Sequence, residues 1–471
     1  MCRIRPPPNE VPLGALYTAR MKGEPDFLQN VRDEIGDGRQ WLDRVVILLY
    51  AVLAGLAVVL LTVLAEWASR SYGALREAAW WAPLLWTPAV TAAVVWGMRR
   101  FAPGAGGSGV PQVLTALAPE TPPAERPRFV SLKVSFAKIL AVAGSLLAGL
   151  SVGRQGPSVQ IAAGVMLHAR RWLSPRSGIS DRELLVAGGA AGIAAAFNTP
   201  LGGIVFAIEE LSRRLSERSS GLMLAAIVIA GLVAISAFGN LSTFGRVRAE
   251  GVVWWSLLLP GLLVALLCGL LGGLLSRLML ASFTGLPDRF CAYRRKRPVA
   301  FAAMCGAAVG LIAVVSGGSA VGLGQDHTRE LLDHAGELAS THQPLVFTFL
   351  KFVASWLSAW SGVPGGIFGP SLALGAGVAA DVAWLLESPH GAALIALGMC
   401  AFLAAVTQAP ITAMIIVMEM TDGHNMVLSL IAAALFASLV SRMISRPLYS
   451  TMSQLMMRSL RGPEPPASGT R

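Results

Sequence analysis

Hydrophobic residues gather along this chain in long blocks, parted by short polar or glycine-rich breaks. From Val45 to Leu64 stand twenty residues without a charge, which as a helix rising ~1.5 Å per residue would cross a hydrocarbon layer of ~30 Å. Further blocks cover Trp80 to Met98, Ile139 to Val152, Leu184 to Phe197, Leu222 to Phe238, Val252 to Leu275 and Val299 to Val315. Val346 to Trp360, Ala392 to Val406, Ile411 to Met418 and Val427 to Val440 follow. Several are too short to cross upright, and Gly and Pro interrupt them. Helices broken in this way survive in a bilayer only where protein or a polar cavity satisfies the freed backbone. The pattern predicts an all-α polytopic membrane protein of roughly sixteen to eighteen tilted or broken helical pieces, built around a permeation path.

Composition narrows this further. Of 471 residues, 54% are hydrophobic and 14% charged, against about 25% charged in soluble proteins, so a soluble globular chain is excluded. The 50 glycines follow no three-residue period, which excludes collagen. An excess of 38 basic over 27 acidic residues leaves a net charge of +11. In a soluble domain that would suggest nucleic acid; here it marks loops, and no nucleic-acid partner is expected. Arg294 to Arg297 form one basic stretch and Arg213, Arg214 and Arg218 another, with Arg39, Arg44, Arg442, Arg446 and Arg458 near the ends. The positive-inside rule puts all of these, and both termini, on the cytoplasmic side of a cell (inner) membrane. The polar leader before the first block argues against a cleaved signal. Five scattered cysteines without CxxC spacing, and six histidines without HxxxH or HExxH, predict no metal site, no cofactor and no enzyme activity.

Comparing the chain with itself reveals a repeat. Ala194 to Leu201 resembles Ala404 to Ile411, and Glu209 and Glu419 each stand nine residues past the proline of their copy. About forty residues upstream of both lies a Gly-rich loop closing in Gly-Pro, Gly153 to Pro157 and Gly365 to Pro370. Basic residues follow the first copy and not the second, so the two should face opposite ways, an arrangement that brings broken helices together at the midplane of transporters. The expected organisation is a cytoplasmic leader over 1–44, a first half over 45–250, a second half over 251–450 and a cytoplasmic tail over 451–471.

Three loops carry the chemistry: Gly107-Ser108-Gly109-Val110-Pro111, Gly153-Arg154-Gln155-Gly156-Pro157 and Gly365-Gly366-Ile367-Phe368-Gly369-Pro370, each leading into a helix-compatible run. A helix opening in this way points unpaired amide N–H groups and about half a positive charge outward, which attracts an anion without placing a full charge in the membrane. Lys133, Lys138 and Lys351 are cations in or beside apolar blocks, where buried charge marks an ion path.

With Glu419-Met420-Thr421-Asp422 and Pro447-Leu448-Tyr449-Ser450, these loops resemble the CLC family of chloride channels and chloride/proton exchangers over about residues 40 to 460. The resemblance implies an inverted-repeat subunit of about 18 helices, a homodimer with one pore per subunit, and the short prokaryotic form without C-terminal regulatory domains. It implies a central anion site from the hydroxyls of Ser108 and Tyr449 and the backbone N–H groups of Ile367 and Phe368, and an outer site at Arg154, Gln155 and Gly156. Lys138 would set the field at these sites. Serine at 108, where nitrate-selective members carry proline, points to chloride, with other halides as further candidates. The expected dimer surface lies on Leu201 to Ile208 and Ile411 to Met418.

One position departs from the family pattern. Its glutamate gate is Gln155 here, whose amide carries no charge and does not titrate near neutral pH. The expectation is passive chloride conduction uncoupled from protons, with coupled exchange through a substitute gate, or transport of another small anion, as alternatives. Glu210 matches the family's inner proton-transfer glutamate.

Overall fold

The computed structural model describes residues 38–175, 177–212, 220–239, 244–245, 254–284, 289–335 and 345–461. Most of the expected leader, the basic residues Arg213, Arg214 and Arg218, the boundary between the halves at 250/251, and residues 462–471 of the tail lie outside these.

The described residues fold as eighteen α-helices of seven residues or more, with no named strand among them. The first half comprises α1 (Gly38–Ala78), α2 (Pro83–Phe101), α3 (Val110–Leu117), α4 (Leu132–Leu147), α5 (Gln155–His168), α6 (Asp181–Phe197), α7 (Pro200–Phe206) and α8 (Ser220–Phe238). The second comprises α9 (Trp254–Thr284), α10 (Arg289–Lys296), α11 (Pro298–Val315), α12 (Gln325–Asp333), α13 (Val346–Ser361), α14 (Phe368–Leu385), α15 (Gly391–Thr407), α16 (Pro410–Thr421), α17 (Val427–Ile444) and α18 (Leu448–Arg461). Seven helical stretches are long and apolar enough to cross a membrane.

The packing is that of a protein dissolved in lipid. Along α1, Ala51, Ala54, Val58, Leu61 and Ala65 are buried while Leu49, Leu53, Leu56, Leu60 and Val63 are exposed. The buried side carries most of the small residues and the outward side is leucine-rich, because lipid tails are as apolar as leucine and association rests on close packing. Deepest lie α14 and α15, buried on nearly all sides. Gly375 of α14 and Gly398 of α15 meet so closely that a Cβ on either would strike the other's carbonyl.

Several helices run beyond their apolar blocks, α1 by seven residues before Val45 and α9 to Thr284, and α4 is displaced at both ends. The block read as Ile139 to Val152 starts seven residues earlier, at Leu132, because Ser131 caps the helix by accepting from the Val134 N–H at 3.4 Å. It ends at Leu147, since Gly149 takes φ +78° beneath the Tyr72 ring, where a side chain would collide. Helices α3, α5, α7, α10, α12, α14 and α18 lie outside the apolar blocks; α5 and α14 each open inside a glycine loop, and α12 is short and amphipathic.

The inverted repeat is visible in backbone and caps alike. Asn198 and Gln408 close α6 and α15 in the left-handed conformation, at φ 60° and 58°. Glu209 then accepts from the N–H groups of Ile411 (3.2 Å) and Thr412 (2.6 Å) at the start of α16. Its counterpart Glu419 accepts from Leu201 (3.3 Å) and Gly202 (2.8 Å) at the start of α7. Each residue's partner is the other's equivalent, a reciprocity that requires a two-fold relation between the halves. Leu201, Ile208 and Ile411, on this helix pair, are exposed.

Candidate anion site

Residues Gly153 and Gly366, equivalent in the two halves, exchange two backbone hydrogen bonds of 2.7 Å and so bind the two Gly-Pro loops to one another. The third loop joins through Gly107, whose carbonyl accepts from the Gly365 N–H at 3.2 Å and from Lys138 Nζ at 2.6 Å. Lys138, fully buried, also donates to the Ala105 carbonyl at 2.9 Å. A buried ammonium needs such acceptors, and these turn the Lys138 charge into a brace for the Ser108 loop. Gly109, at φ +113°, lies so close to the Gly156 carbonyl that no side chain fits there. Gln112 holds this turn by accepting from the Gly109 N–H at 2.9 Å and donating to the Gly106 carbonyl.

Where the loops meet is a cavity of about 30 Å³ lined by Ser108, Ile367 and Tyr449, with Ser151, Ser355, Met279 and Phe283 around it. Some 10 to 15 Å³ of such space accepts one water, so one small ion fits. The hydroxyls of Ser108 and Tyr449 are buried without a hydrogen-bond partner. A hydroxyl orphaned in this way costs free energy unless a ligand or water completes it. Ile367 caps α14 and Phe368 opens it, so their N–H groups are first-turn donors with no acceptor one turn back. The Phe368 ring stacks on Tyr449 at 5.9 Å and meets Phe197 at 5.8 Å, which orients the phenol.

Gln155 is fully buried, and both polar atoms of its amide lack a partner. Its oxygen lies against the backbone of Gly153 and Gly369, at the junction of the loops that open α5 and α14. Gly156 touches the Ser108 loop. Arg154, 7% exposed, turns away to pair with Glu66 of α1 at 3.2 Å. The structure thus brings Ser108, Gln155, Gly156, Ile367, Phe368, Tyr449 and Lys138 together, and places the Arg154 side chain to one side in an ion pair.

Glu210 sits in a π-helical turn, Ala207–Leu211, which continues α7. Such turns collect at functional positions. It lines a narrow space with Phe206, Phe368, Thr407, Thr412 and Tyr449, and Tyr449 also lines the central cavity. Lys133 is exposed, whereas Lys351 is buried and donates to the Gly322 carbonyl at 3.0 Å, bracing the loop before α12 as Lys138 braces its counterpart. Sequence reasoning missed Glu66, Gln112, Ser151 and Ser355. Only Gln112 left a signal, standing three residues after Gly109 as a capping side chain does.

Residues 90–442 match the voltage gated chloride channel family. The H(+)/Cl(-) exchange transporter ClcA of Klebsiella pneumoniae is 34% identical over 433 residues, covering 85% of this chain and 86% of that protein. ClcA of Salmonella typhimurium is 31% identical over 404 residues, 81% of each. Among solved structures, a slow cyanobacterial Cl-/H+ antiporter superposes with a TM-score of 0.72 at 23% identity, covering 90% of this chain and 99% of that one. A CLC-type fluoride/proton antiporter gives 0.68 at 20% identity, covering 91% and 99%. The loops, the reciprocal halves and these matches agree, and the chain belongs to the voltage gated chloride channel, or CLC, family of multi-pass membrane proteins.

Proposed function

We propose that the chain carries chloride passively through the path described, without coupling to protons. The observation that carries this reading is the pair of buried, partnerless hydroxyls of Ser108 and Tyr449 in one ion-sized cavity, with the uncharged amide of Gln155 at the adjoining loop junction. Chloride in the cavity accepts from both hydroxyls and from the N–H groups of Ile367 and Phe368. Lys138, through the Gly107 carbonyl, holds Ser108 in place and adds a positive field. The outer site is made by the backbone N–H groups around Arg154, Gln155 and Gly156, while the Arg154 side chain stays paired with Glu66. An amide neither competes with chloride as a carboxylate would nor releases a proton, so the path stands open at every physiological pH.

We further read the protein as a homodimer joined near Leu201 and Ile411, both exposed and apolar, in an inner cell membrane with both termini cytoplasmic. Glu210, beside Phe368 and Tyr449, favours coupled exchange as the second reading, as do the names of the relatives. Simultaneous chloride and pH recording on proteoliposomes separates the two. The passive reading expects chloride to run down its gradient with no proton movement; protons driven uphill by chloride would overturn it.

A further inference from the structure

A larger cavity of about 610 Å³ adjoins the central one, and Gly107 and Phe283 line both. Three guanidinium groups face it, Arg99 at the end of α2 and Arg294 and Arg295 on α10, while no Asp or Glu is among the described residues of its wall. Arg294 is held in place, donating to the Ser282 carbonyl at 2.6 Å with its guanidinium 5.4 Å from the centre of the Phe283 ring. Burial is the chief cause pushing its pKa below the usual arginine value, and the like charge of Arg99 adds to it. Arg99 and Arg295 are exposed. Like charges gathered around a cavity repel one another until an anion neutralises them.

One chloride would cancel a single charge of the three and fill a small part of this space. A phosphate group brings between one and two negative charges and several acceptor oxygens, which planar guanidinium forks take in pairs. We infer that this cavity binds a phosphate-bearing anion from the cytoplasmic side, and that its occupant closes the anion path at the wall formed by Gly107 and Phe283. This rests on the transport reading and orientation proposed above. The central site proposed above uses none of the three arginines, so the two sites are separable.

The test uses the full chain in phosphatidylcholine vesicles at constant chloride and ionic strength, with inorganic phosphate added to one face at a time. Phosphate should slow chloride flux from one face only. The double variant Arg99→Gln/Arg295→Gln, checked for folding by size-exclusion elution, should keep its flux without phosphate. It should need about three- to tenfold more phosphate for half-inhibition, a modest factor because these side chains are exposed and screened. Arg294 is left intact because it also anchors α10 to α9. A second arm replaces part of the phosphatidylcholine by phosphatidylglycerol. Slowing that appears there without added phosphate, and is relieved in the double variant, assigns the site to a lipid headgroup and supports the same phosphate chemistry. No slowing in either arm, or equal slowing in parent and variant, overturns the site while leaving chloride transport standing. Absence of chloride flux even without phosphate would instead sink the transport reading. Calorimetric titration of detergent-solubilised protein with phosphate then decides this site alone, with variant-sensitive heat supporting it and no heat overturning it.

Discussion

Removing the carboxylates that tie the two halves together tests the inverted repeat as an energetic fact. Glu209 and Glu419 each accept two backbone N–H groups at the start of the opposite short helix, one bond near 2.7 Å and one near 3.2 Å in each case. A hydrogen bond to a charged group contributes about 1.5 to 3 kcal/mol and a neutral one about 0.5 to 1.5. Counting the shorter bond of each pair as strong and the longer as ordinary gives about 2 to 4.5 kcal/mol for Glu419→Ala, and the same for Glu209→Ala. Glu419→Gln keeps one acceptor oxygen and loses the attraction of a full charge to the helix N-terminus, so about 1 to 2 kcal/mol is expected. The caps close opposite ends of one α7/α16 pair, so the double alanine variant should cost less than the sum, because the pair is already loosened by the first change. The assay is unfolding of purified protein in detergent, followed by circular dichroism against denaturant. Alanine variants within about 0.5 kcal/mol of the parent, the range of an ordinary surface change, would refute the assignment of these carboxylates as caps.

Three further outcomes follow from the site. Gln155→Glu puts a carboxylate against the loops of Gly153 and Gly369, where backbone donors stabilise it and chloride is displaced; flux should fall at neutral pH and recover in acid, and identical efflux profiles between roughly pH 4.5 and 7.5, a span above an unperturbed Glu value of about 4.3, would withdraw the gate. Ser108→Ala/Tyr449→Ala removes two hydroxyl donors and keeps the backbone ones, so chloride binding measured by calorimetry should weaken about 5- to 140-fold, at about 0.5 to 1.5 kcal/mol per bond. Lys138→Met strands the Ala105 carbonyl, at about 1 to 3 kcal/mol for a buried group left unpaired, and leaves the Gly107 carbonyl with the Gly365 N–H alone; denaturant unfolding should show lost stability and calorimetry weaker chloride binding, and a stable variant with parental affinity would mean that the Ser108 loop needs no brace.

The hydrophobic blocks, the glycine loops and the repeat were legible in the chain because each depends on local chemistry. A helix that meets lipid must be apolar along its length, and a loop that opens a helix toward an ion must have glycine where backbones touch. Ser108, Gln155, Ile367, Phe368 and Tyr449 are named through the resemblance of their motifs to the CLC family. Helix ends were less legible: α4 begins where Ser131 caps it and stops where Tyr72 lies over Gly149, a contact between residues 77 positions apart in the chain. Only the tertiary structure decided that Lys138 bonds to Gly107, that Arg154 is turned aside by Glu66, and that Glu209 and Glu419 cap each other's neighbours. The sequence alone determines which residues have the chemistry for an anion path, since side-chain type and spacing are local properties. Which donors are left unpaired to meet the ion depends on who else could satisfy them, and that is settled only when distant segments pack.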